Sequence, residues 1–149
     1  MTKIILIFGL LLLLIAGYVF YQFSFNQHAT KQVTIAKHTF TAEVVTKTKE
    51  QQIGLTKYAS LSAEKAMLFT FPKADTHPFW MRNMKFPIDI LFLKENAVVG
   101  VVANAQPAKA TDNHIPTYGN NLTSDAVLEI SAGLVKKYGI KEGDKVTVK

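Results

Sequence analysis

The chain contains no cysteine, a single tryptophan and a single arginine. Without cysteine there are no disulfides, no thiolate-held metals, no cysteine nucleophile and no lipoprotein attachment, although the compartment stays open. The G-x-S-x-G elbow, S-x-x-K, the Gly-rich phosphate loop and H-E-x-x-H are also missing. The four histidines, His28, His38, His77 and His114, stand far apart. Asp75 and His77 could share one face of an extended segment, but they make only part of a ligand set, so no metal or cofactor is expected. No acidic or basic residue occurs between Lys3 and His28, and no run of five like charges occurs anywhere. The lysines are scattered, which fits a solvated basic surface and not a nucleic-acid partner.

That first gap in charge holds the longest apolar run, "IILIFGLLLLLIAGYVF" over residues 4–20. At about 1.5 Å per residue, roughly 20 apolar residues cross a bilayer, and the run reaches that length when extended through Tyr21, Phe23 and Phe25. Aromatics follow it where a signal peptidase would want small residues, and aromatics suit a membrane–water interface. Residues 1–25 are therefore expected to be a retained anchor or uncleaved signal segment. The membrane is then the expected partner, crossed once, with the N-terminus in the cytoplasm and the domain on the extracytoplasmic side. Cleavage would make the protein secreted. Beyond residue 26 the 17 basic residues less Lys3 face all 11 acidic ones, a net of +5.

Residues 26–32 read as a linker, and 33–149 as one β-rich domain. "VTIAKHTFTAEVV" predicts a hairpin about Lys37 and His38, and "DILFLKENAVVGVVAN" a second one turning at Glu95 and Asn96. Between them Thr48 and Gln51 have capping-box spacing, with Gly54 placed to end a short helix. "AMLFTF" predicts a strand closed by Pro72. Residues 105–123 read as a loop long enough to suspect a function. "NLT" at Asn121 fits a glycosylation sequon, a pattern that chance often supplies. The strand "AVLEI", a helix entered from Ser131 and left at Gly139, and the strand "KVTVK" complete the chain. The expected fold is mainly β, a compact sandwich or barrel-like single domain with two short helices, preceded by an N-terminal membrane helix.

The stretch "HPFWMRNMKFPIDILF" sets polar residues in a segment otherwise made for a core. In extended backbone Trp80 and Arg82 share a face, a stacked aromatic and a guanidinium suited to a sugar ring or a carboxylate. Beyond Pro87, Asp89 shares a face with Leu91 and Leu93, where a carboxylate must find donors or take up a proton. "FWMRN" followed by "PIDILF" resembles the F-W-M-K/R-N-T-x-x-P-L/I-D signature of the domain-of-unknown-function 192 family. "MLFTF", "VLEISAG" and "GIKEGD" resemble further motifs of the same family, so that the likeness runs over residues 41–148. Met84, Ala66 and Tyr58 stand where the family pattern has threonine, glycine and arginine. The resemblance implies a compact β-rich fold and an extracytoplasmic address, and no established activity.

Three readings follow from these residues. The first is a non-catalytic, membrane-tethered binding or accessory module with a groove near Trp80, Arg82, Asn83, His114 and Tyr118. A second is an envelope hydrolase using Asp89 and Glu129 as acid and base. The third is a purely structural partner-binding protein.

Overall fold

The computed structural model describes residues 9, 11–18, 29–108, 111–112 and 115–149. Residues 11–18 are helical and exposed. Among the described residues no helix is long and apolar enough to cross a membrane, and the rest of the expected anchor, residues 1–25, lies outside them. His114 lies outside them as well.

The strands are β1 (Thr30–Ile35), β2 (His38–Val45), β3 (Lys65–Thr76), β4 (Phe79–Trp80), β5 (Ile88–Lys94), β6 (Ala97–Ala105), β7 (Thr117–Tyr118), β8 (Thr123–Ser131) and β9 (Val146–Val148). Two helices, α1 (Thr48–Ile53) and α2 (Leu134–Tyr138), interrupt them, and a 3-10 turn, Gly54–Lys57, follows α1. Seven strands form one sheet in the order β6-β5-β8-β3-β2-β1-β9, with β2 and β3 its parallel pair. The sheet curls until its two edges meet at one end. There the Val146 N–H donates to the Asn96 carbonyl at 2.8 Å and the Val98 N–H to the Asp144 carbonyl at 3.0 Å. A half-barrel of one sheet therefore takes the place of a two-sheet sandwich.

Both predicted hairpins form, and their turns explain their residues. Ala36 and Lys37, like Glu95 and Asn96, have positive φ, the backbone that two-residue turns need in order to match strand twist. Strand β1 starts at Thr30, so the end of the expected linker is strand. Strand β3 does not stop at Pro72 but continues to Thr76. Its pairing with β8 breaks between Thr70 and Asp75, so Pro72 sits where no ladder hydrogen bond is required of it. The capping box is absent: Lys47 is the N-cap of α1 and makes no side-chain capping bond, and Gln51 turns its amide to the Val45 and Thr70 carbonyls at 3.4 and 3.2 Å. Long-range anchoring outcompeted a local cap. Ser131 likewise belongs to β8, its hydroxyl bonded to the Leu61 carbonyl, while Gly133 leads into α2.

Cores lie on both faces of the sheet. One gathers Phe40, Leu68, Leu91, Leu128 and Ile130 beneath α2; the other gathers Phe69, Met81, Ile90, Phe92 and Val127 beneath the 79–86 segment. Strand β5 is accordingly buried from Ile88 to Leu93, and Asp89 is completely buried on the first of these faces. Its carboxylate accepts the Asn104 N–H at 2.7 Å and the Val135 N–H at 2.8 Å. Asn104, at φ 55, belongs to an irregularity in the β5–β6 pairing, and Val135 lies in the first turn of α2. Asp89 therefore clamps a bulge and a helix start to the sheet, and Arg82 is not its partner.

This geometry removes the carboxylate pair. Asp89 stands opposite Ile130, whereas Glu129 stands opposite Ile90, so the two acids point to opposite faces. They cannot act as acid and base on one substrate. Replacing Asp89 by Ala leaves the buried Val135 N–H and the part-buried Asn104 N–H without acceptors, and the expected loss is about 1–3 kcal/mol in urea unfolding of the full chain. An unchanged midpoint would refute the clamp.

Candidate functional site

The second face carries the site. Across its floor run β3, β8 and β5, with Glu129 set between Met67 and Ile90 in register. Above the floor, Phe79 meets Phe69 edge-on at 5.0 Å between ring centroids, and Phe71 stacks on His77 at 3.6 Å. The end of α1 forms the opposite wall. There Gly54 takes φ 49, which only glycine adopts freely, and it lies against the Phe69 ring. Between these walls is a cleft of about 230 Å³. Ile53, 44% exposed, and Trp80, 54% exposed, lie along it, and both are large apolar side chains open to solvent.

Glu129 is 5% exposed and lines this cleft. Buried side-chain polar atoms without a partner among the described residues are His38 Nε2, Ser124 Oγ and Glu129 Oε2, and of these only Glu129 belongs to the cleft. Burial pushes its carboxyl up to about 8, because nothing nearby compensates the loss of water around the charged form. At neutral pH the floor of the cleft is a protonated acid.

The expected binding residues divide. Trp80 and Arg82 line the cleft. Arg82 is exposed and, among the described residues, has no ion-pair partner. Asn83 and Tyr118 do not line it. Asn83 has φ 61, a left-handed backbone that asparagine tolerates better than most residues, and its N–H donates to the Ala108 carbonyl at 3.1 Å. Its polarity serves a turn. Tyr118 is half-buried, paired with Phe79 across the small β4–β7 ribbon that ties the long 105–123 segment to the Trp80 strand. Sequence reasoning missed Ile53 and weighed His77 only as a metal ligand. Among the described residues no cluster of three potential His, Asp or Glu ligands occurs. An apolar residue directly before the helix-ending Gly54 was the available signal for Ile53.

A wider depression of about 600 Å³ lies beside Glu43, Lys57 and Tyr58. Its one acid is engaged: Glu43 accepts from Lys57 Nζ at 2.7 Å and from the Tyr58 hydroxyl. Burial and the bond to Glu43 push the Tyr58 phenol up; burial opposes the Lys57 charge, but Glu43 and Tyr58 together outweigh it and raise that pKa. Tyr58 stands where the family pattern has arginine, and it still supplies a donor to Glu43. Among the described residues no buried side-chain polar atom of this depression lacks a partner, whereas the smaller cleft has one, so the smaller cleft is the better site.

The family model of DUF192, described as an uncharacterized ACR, matches residues 30–148. Among functionally curated proteins none matches the sequence. A crystal structure of a protein of unknown function from Novosphingobium aromaticivorans DSM 12444 is 35% identical, covers 80% of this chain and 84% of its own, and superposes with a TM-score of 0.68. A Sinorhizobium meliloti 1021 protein, designated a candidate transcription regulator, is 26% identical over 82% of this chain and 95% of its own, with a TM-score of 0.72.

The raised Glu129 pKa carries a signature in stability. Unfolded, the group titrates near 4.5; folded, near 8. Between those values the folded state holds the extra proton, so this contribution is complete below about 4.5 and is lost as pH rises through about 8. The expected slope in that window is about 1.4 kcal/mol per pH unit. Glu129→Gln, neutral at every pH, should flatten the slope and be the more stable protein at pH 9 in paired denaturant titrations. Parallel pH profiles for the two would contradict the burial argument.

Proposed function

The chain belongs to the DUF192 family, and we propose that its domain is a non-catalytic binding module whose ligand enters the cleft between α1 and the Trp80 strand. The observation that carries this reading is the buried Glu129 Oε2, left without a donor among the described residues at the bottom of an open, aromatic-walled cleft. A buried polar atom without a partner costs stability, and a folded protein that retains one in a cleft has it available for a ligand. Few convergent polar groups among apolar walls is the usual composition of a small-molecule site.

The residues favour binding over catalysis. No second acid is available to Glu129: Asp89 is on the other side of the sheet with two backbone donors, and Glu43, which shares the face of Glu129 two strands away beyond Met67, is held by Lys57 and the Tyr58 hydroxyl. In this reading the uncharged run over residues 4–20 holds the domain at the outer face of a membrane. The cleft then samples small molecules outside the cytoplasm.

A thermal-shift screen of small metabolites against the full chain tests the reading. Trp80 is more than half exposed, so Trp80→Ala should keep the unliganded stability within about 0.5 kcal/mol. It should abolish or sharply reduce the shift produced by any hit. Hits that stabilise Trp80→Ala as strongly as the parent protein would place binding elsewhere.

A further inference from the structure

Resting on that reading, we propose that the cleft takes an organic ammonium bearing at least one N–H, its nitrogen seated on Glu129 and its apolar body between Ile53 and Trp80. Three features of the cleft lead to this class. First, Glu129 Oε2 lacks a donor among the described residues, and an ammonium N–H supplies one with the charge that an ionised carboxylate needs. Secondly, the walls are ring faces and edges of Phe69, Phe71, Phe79 and Trp80. The face of an aromatic ring is negative and attracts a cation, while an anion finds only the weakly positive ring edges.

The third feature is the distribution of charge along the cleft. Its other titratable side chains are His77 and Arg82. Arg82 is exposed, so water weakens its repulsion of a cation at the floor. It is also placed to meet an anionic group that trails behind a zwitterionic ligand. The elements packed directly around Glu129 contribute neutral groups: Met67 from β3, Ile90 from β5, and Thr48, Gln51 and Gln52 from α1; one strand further along the same face, Glu43 of β2 is engaged by Lys57 and the Tyr58 hydroxyl. An anion driven to the floor would meet Glu129 with no cation beside it. A cleft of about 230 Å³ has room for on the order of eight water-sized groups, the size of a small arylalkylamine.

The step balances as a proton exchange. Below pH 8 the carboxyl is protonated in the empty cleft. The arriving ammonium keeps its own protons, Glu129 loses its proton to the buffer, and the product is a carboxylate–ammonium pair. Binding therefore releases close to one proton at pH 6.5.

The test titrates the full chain at pH 6.5 with three probes of one shape and different charge: phenethylammonium, 2-phenylethanol and phenylacetate. Calorimetry in two buffers of unlike ionisation enthalpy counts protons, and fluorescence of Trp80, the chain's only tryptophan, reports occupancy. Phenethylammonium should bind at least tenfold more tightly than 2-phenylethanol, phenylacetate should not bind, and Glu129→Gln should erase the preference and the proton release. Tighter binding of the alcohol or the acid at this cleft would overturn the ammonium assignment and leave the cleft as the site. Failure of all three probes would overturn it too, while the metabolite screen with Trp80→Ala judges the cleft separately.

Discussion

The structure depends on how a carboxyl group is treated when it is taken out of water. Strands β5 and β8 are adjoining interior strands of the curled sheet, and each brings one acid into the interior. Asp89 is given two backbone donors, from Asn104 and Val135. Those bonds hold the β6 irregularity and the start of α2 to the sheet. Among the described residues Glu129 is given neither donor nor cation for its Oε2, so it takes up a proton. The same residue chemistry thus serves stability on one face and leaves a site on the other, and the difference is made entirely by neighbours.

Seen this way, the signature segment has a physical logic. Phe79 packs into the lower core, Trp80 lies along the cleft, and Met81 is buried with its carbonyl accepting the Ala108 N–H at 3.0 Å. Asn83 takes the left-handed turn, and Asp89 makes the clamp. Within about ten residues the chain builds a wall, a turn and a strut. The family to which it belongs and the crystal structure from Novosphingobium aromaticivorans carry no assigned activity, so the chemistry has to be read from the cleft itself.

Much of the fold was legible because its signals are local. The alternation of "IDILFL" placed Asp89 among leucines, and the turn residues placed both hairpins. What was not legible depended on pairings far apart in sequence. Asp89 and Glu129 looked like possible partners because one-dimensional alternation says which residues of one strand share a face, and says nothing about the relative phase of two strands. The β5–β8 register decides that phase. Asn83 looked like a ligand contact because polarity is visible in sequence and φ is not. Thr48 and Gln51 had the spacing of a cap, but Gln51 found carbonyls on β2 and β3 instead. Ile53 carried no local polar signal that set it apart, though α1 leaves it facing solvent along the cleft.

The central claim is that Glu129 is a neutral acid at the floor of the empty cleft. Its side-chain carboxyl carbon, followed by NMR in protein labelled with ¹³C at glutamate and assigned through Glu129→Gln, measures this directly across pH 4 to 9. The account predicts a resonance that stays at the protonated position through neutral pH and titrates near 8. A resonance already at the carboxylate position by pH 6 would show that the group is solvated or paired, and would contradict the account.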